Sequence, residues 1–196
     1  MEYQKAEKFI VDKLKKELPK RLYYHSINHV EDVFQAAIVL AKLEGISDDD
    51  FQLLKIAVLF HDSGFMVHPK EHEATGCKIV RENLPFFGYS NEQIEKICGM
   101  IMATKIPQNP LNLLEEIICD ADLDYLGRDD YDSISNNLYK EINVNGNLDE
   151  DSWLKLQIGF LETHHYYTAS AIKMRKQKKE DKLTALKKKL AGLSNK

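Results

Sequence analysis

Apolar residues recur along the chain at spacings of three and four, the period of α-helices that bury one face. Phe9, Ile10, Leu14 and Leu18 predict a first helix, stopped by Pro19. Val30, Val33, Phe34, Ala37, Ile38, Leu40 and Ala41 predict a second, closed by Gly45. Ser47 is placed to cap a third, with Asp48, Asp49 and Asp50 in the first turn, where the helix dipole favours acids. The run Phe51–Phe60 is apolar on several sides, which predicts a central helix. Gly64 and Pro69 mark a loop, and Glu71–Leu84 reads as another helix, closed by Pro85. Ser90 caps a helix to about Met102, with Gln93 at the capping-box position. Pro107 and Pro110 make a turn, and Leu111–Leu123 and Tyr131–Ile142 predict two further helices. Asn143–Asn147 is a turn whose Asn-Gly pair lacks the alternating flanks of a β-hairpin. From Ser152 onward the pattern predicts one or two long helices. The sum is an all-α, multi-helix fold: one domain over residues 1–172 and a basic amphipathic helix over 173–196.

Composition narrows the class. The 196 residues are 43% hydrophobic and 30% charged, which is globular rather than disordered. No apolar run is long enough to span a bilayer, and the N-terminus lacks the apolar core of a signal peptide. Cys77, Cys98 and Cys119 are odd in number and far apart, so they read as reduced thiols of a cytoplasmic protein. The net charge of −4 hides an asymmetry. From Lys173 on, ten Lys/Arg stand against two acids, a charge of +8, leaving 17 bases and 29 acids, a charge of −12, before it. An acidic body argues against nucleic acid as the main partner and suits a site that holds cations. In the tail, Leu183, Leu186, Leu190 and Leu193 form a seam at helical spacing. That seam suits docking on the acidic body or on a second copy in a homodimer, with no membrane partner expected.

Four places carry candidate chemistry. His25 and His29 stand four apart in Tyr24–Val30, which on a helix puts them on one face. His61-Asp62 ends the most apolar helix, where buried charge calls for a partner. His72-Glu73 opens the next helix. Asp120, Asp122 and Asp124 follow the apolar Ile117-Ile118-Cys119, and three acids so close repel one another unless positive charge is near. Imidazole and carboxylate without thiolate suit a divalent ion such as Mn, Fe, Zn, Ni, Co or Mg.

His29, then His61-Asp62, then Asp122 resemble the H…HD…D signature of the HD superfamily of metal-dependent phosphohydrolases, over roughly residues 20–130. YHSINHVEDV resembles the YHxxxHxxDV stretch of class I cyclic-nucleotide phosphodiesterases within it. LLKIAVLFHDSGF is similar to the helix that delivers the HD pair, and ICDADLDYLG to the helix with the last ligand. The resemblance implies that His29, His61, Asp62 and Asp122 bind one metal and that Asp62 bridges to a second ion where one is present. It implies that His25 protonates a leaving oxygen and that His72 lies near a second-metal position. Relatives with two metals carry a His-His pair where this chain reads Met100–Lys105 without histidine. Phe65 stands where HD enzymes that cut cyclic dinucleotides have lysine, which argues against that substrate.

The implied activity is hydrolysis of a phosphate ester or anhydride of a small molecule, a nucleotide as first expectation, by metal-activated water. His25 and His72 are the candidate acid and base, and Glu73 orients water or a ligand imidazole. Lys105 and Arg128 are candidate phosphate contacts by charge alone. In Thr163–Thr168, on a presumed helix, His164 is a candidate substrate contact. Two rival classes remain open: a non-catalytic module of the same fold that binds metal and nucleotide, and a purely structural helical protein.

Overall fold

A computed structural model describes residues 1–193; residues 194–196, the end of the predicted basic tail, lie outside the described residues. It contains helices α1 (Tyr3–Glu17), α2 (Ile27–Glu44), α3 (Asp48–Phe60), α4 (His72–Asn83) and α5 (Asn91–Ala103). They are followed by α6 (Leu113–Asp122), α7 (Tyr131–Ile142), α8 (Glu150–Thr163) and α9 (Ala169–Leu193). Three 3-10 turns, Ser63–Met66, Leu84–Phe87 and Asp124–Gly127, link them, and the described residues include no strand.

The capping chemistry explains where helices begin. Ser47 Oγ accepts from the backbone N–H of Asp50, and Ser90 and Gln93 form the reciprocal capping box. Asn112 Oδ1 accepts from the N–H groups of Leu114 and Glu115, and Asp149 Oδ1 from that of Ser152. Gly45 closes α2 in the left-handed conformation at φ 68°. Helix α3 buries Leu53, Leu54 and every residue from Ile56 to Phe60, and it packs against α1, α2, α5 and α6. The central position expected from its all-round apolarity is therefore observed.

The last third departs from the sequence reading in one respect. Residues 164–168 are not helical but form the break between α8 and α9, so His164 and Thr168 do not share a helix face. Two buried charges hold that break. Asp120 accepts from the N–H groups of Tyr167 and Thr168 and from the Thr168 hydroxyl. The Lys179 ammonium donates to the carbonyls of Leu161 and His164, where the C-terminus of α8 is most negative.

Helix α9 runs unbroken across residues 172 and 173 and lies along α8 and the turn Asp124–Gly127. Leu186 is buried, and Leu183, Leu190 and Leu193 pack against the same core. Lys178, Lys182, Lys187 and Lys189 pair with Asp129, Asp132, Glu162 and Glu150 of the acidic body. Gly127 permits the close approach, since a Cβ there would stand 2.4 Å from the Arg175 carbonyl oxygen.

Candidate metal centre

Three side chains, His29, His61 and Asp122, meet closely enough to share an ion, and Asp62 stands beside the two histidines. His29 comes from the first turn of α2, His61 and Asp62 from the end of α3, and Asp122 from the last residue of α6. His29 Nε2 lies 3.0 Å from Asp122 Oδ1 and 3.5 Å from Asp62 Oδ2. His61 Nε2 lies 3.3 Å from Asp62 Oδ2 and 3.6 Å from Asp122 Oδ1. Donor atoms bound to one ion at about 2.1 Å stand about 3.0–3.4 Å apart, and the observed separations of 3.0–3.6 Å are within a few tenths of an ångström of that range.

The hydrogen bonding fits it too. His61 Nδ1 is 2.7 Å from the Val58 carbonyl, so Nδ1–H donates there and Nε2 faces the cluster. His61 Nε2 and Asp62 Oδ2 are buried without a hydrogen-bond partner, a costly arrangement that a cation resolves. Burial opposes charge on His61, yet the Asp62 and Asp122 carboxylates outweigh it and hold the imidazole well above its ordinary range. Burial likewise opposes ionisation of Asp62 and Asp122. The facing imidazoles, His61 for Asp62 and His29 for Asp122, hold both below the usual carboxylate range. The cluster therefore draws positive charge to its centre.

The other Asp62 oxygen faces a different partner. Asp62 Oδ1 lies 3.4 Å from His72 Nε2, which is also 3.5 Å from Glu73 Oε1. His72 Nδ1 contacts the Pro69 carbonyl at 3.2 Å, which turns Nε2 inward. The loop can bring Asp62 this near because residue 64 is glycine: a Cβ there would lie 1.9 Å from the His72 carbonyl oxygen. Phe65 is wedged between imidazoles, with ring centroids 4.1 Å from both His25 and His72.

His25 stands outside helix α2, which starts at Ile27 with Ser26 as N-cap, so His25 and His29 do not share a helical turn as the spacing suggested. Its position is set instead by Glu141 at the end of α7. Glu141 Oε2 accepts from the N–H groups of Tyr24 and His25, and Oε1 lies 2.5 Å from His25 Nδ1. Burial works against a charged His25, and the Glu141 hydrogen bond more than offsets it, so the imidazole is raised above its ordinary range. No motif in the sequence marks Glu141, because its partner is 116 residues away.

His25, Asp62, His72, Glu73 and Asp122 line one end of a cavity of about 370 Å³. The rest of its wall comes from the turn after α6 and from α7 and α8.

Residues 26–124 match the HD domain family, just over half of the chain, and the match spans all four converging side chains. The chain belongs to the HD-domain family. A solved structure described as a predicted HD superfamily hydrolase, from an uncultured Thermotogales bacterium, resembles it with a TM-score of 0.63 at 20% identity. That similarity covers 97% of this chain and 92% of the other, and it concerns the fold. No curated protein matches the sequence. No described helix of this HD protein is long and apolar enough to cross a membrane.

Three predicted contacts lie elsewhere. Arg128 is occupied by Asp32 at 2.8 Å and Asp130 at 2.5 Å and does not line the metal-site cavity. Lys105 is exposed, on a separate hollow with Met102 and Asn109. His164 lines a third hollow with Gln108 and Tyr167, its ring nitrogens buried and unpartnered. Charge alone identified the first two, and charge carries no information about direction. For His164 the helical register was the error.

Proposed function

We propose that this HD protein is a metal-dependent phosphohydrolase acting on a small phosphate ester. The observation that carries the reading is the pair of orphaned buried atoms, His61 Nε2 and Asp62 Oδ2, beside a cavity that Asp62 and Asp122 line and that admits a small molecule. His29, His61, Asp62 and Asp122 would hold the ion, and Asp62 Oδ1 with His72 offers a place for a second. A bound divalent ion supplies charge neutralisation for phosphate and acidifies a coordinated water. His25, held through Nδ1 by Glu141, keeps Nε2 for the leaving oxygen and would deliver the proton that oxygen needs. Glu73, buried beside His72, orients that imidazole or accepts a proton from water. Phe65 excludes water between His25 and His72 and fixes their spacing.

The test is elemental analysis of the purified protein, followed by phosphate release from nucleotides and simpler esters with Mn, Mg, Ni and Co. About one equivalent of metal or more and metal-dependent release support the reading. Protein that binds no ion and releases no phosphate with any of them overturns it. Bound metal without turnover moves the protein to the class of binding modules.

A further inference from the structure

The cavity has two ends of opposite character. Next to the metal cluster it is polar. Beyond Asp122 its wall is Leu126, Leu138, Ile142, Trp153, Leu156 and Phe160, with no lysine or arginine anywhere in the lining. A second or third phosphate has no cationic side chain to meet there, since Lys105 is not part of the lining and Arg128 is taken by Asp32 and Asp130. The few polar groups are already engaged. Tyr131 Oη and Ser135 Oγ both donate to Gln157 Oε1, at 3.1 and 2.9 Å, and the Gln157 amide nitrogen donates to the Trp153 carbonyl at 3.5 Å, so these groups are partnered among themselves. A sugar would set several hydroxyls against this mostly apolar wall with few partners, which is unfavourable. At the mouth, Ile106, Ile142 and Leu156 are 52%, 50% and 54% exposed, so the apolar surface continues to the rim. Such surface in a concave site beside a reactive centre is what an apolar ligand group covers.

We propose that the substrate is a monophosphate ester of an apolar alcohol, alkyl or aryl, with the phosphate at the metal cluster and the apolar group between α7, α8 and the turn Asp124–Gly127. This rests on the phosphohydrolase reading and narrows it. The overall step is P–O bond cleavage by water, giving inorganic phosphate and the free alcohol or phenol, whose oxygen takes a proton from His25.

The experiment measures binding and turnover separately, on Mn-loaded protein. Calorimetry with alkylphosphonates, which resist hydrolysis, should show affinity rising about threefold per added methylene, hence roughly a hundredfold from ethyl to hexyl. Phenyl and hexyl phosphate should be hydrolysed with higher kcat/KM than AMP, ribose 5-phosphate or ATP. Leu156→Ser and Ile142→Ser, both at half-exposed positions where folding is little at risk, should lower the hexyl-to-methyl affinity ratio at least about fivefold. A flat phosphonate series, preference for AMP or ATP, or an unchanged ratio in both variants overturns the proposal. A steep series without turnover of any ester upholds the apolar subsite and overturns the hydrolase reading instead.

Discussion

Asp122 and Asp124 stand two residues apart, both largely removed from water, yet their surroundings differ completely. Asp124 is satisfied by protein: Arg175 grips it with two hydrogen bonds, at 2.6 and 3.0 Å, and Arg128 approaches to 3.5 Å. Asp122 faces two imidazoles and a second carboxylate, in a cluster that leaves a nitrogen and an oxygen orphaned. Asp120, on the other side, is closed by backbone N–H groups and a threonine hydroxyl, although burial pushes it up to about 6. One acidic stretch thus holds two finished structural devices and one carboxylate of the candidate metal centre. A buried charge reports function when its own chain fails to satisfy it.

The comparison breaks most visibly by substitution. Asp62→Ala should abolish stoichiometric metal and reduce turnover by roughly a thousandfold or more, read by elemental analysis and phosphate release. Asp124→Ala should do the reverse. Metal stays bound, while the stranded Arg175 costs about 3–5 kcal/mol of stability in denaturant titration, because α9 loses its buried anchor. A variant that loses metal along with Asp124, or keeps it without Asp62, would erase the distinction.

Smaller effects sharpen it. Glu141→Gln should retain metal and lower kcat about a hundredfold for alkyl phosphates. The loss should shrink for 4-nitrophenyl phosphate, whose leaving oxygen needs little protonation; an equal loss on both would make Glu141 structural. His164 offers the mildest test. Burial first, then the Lys179 charge and His165, push this imidazole down to about 3. Its ordinary value is 6.5, so between those values the unfolded chain binds a proton that the folded chain does not. Stability is therefore full above about pH 6.5 and falls with acidification toward 3, by at most about 1.4 kcal/mol per pH unit. His164→Phe should flatten that slope in thermal melts taken across the window.

These contrasts show what a sequence carries. His29, His61-Asp62 and Asp122 were legible because each sits at a fixed place in a helical pattern, and their order matches a known signature. Caps at Ser47 and Ser90 were legible because capping is local, settled within four residues. Glu141 was not, since a lone glutamate near a helix end looks like any solvated one until α7 packs beside residues 24 and 25. Arg128 looked like a phosphate ligand for the same reason: its partner Asp32, 96 residues away, is brought to it only by folding.

The chain alone determined the helices, most of their ends, the family and the candidate residues His29, His61, Asp62 and Asp122 that folding brings near one another, because periodicity, capping and motif order are properties of short stretches. Tertiary structure decided the rest. It paired His25 with Glu141, set the basic helix on the acidic body, and left Lys105 and Arg128 out of the cavity lining. It also gave that cavity an apolar far wall from α7 and α8. Each of these depends on directions and long-range contacts between side chains, which the order of residues does not state.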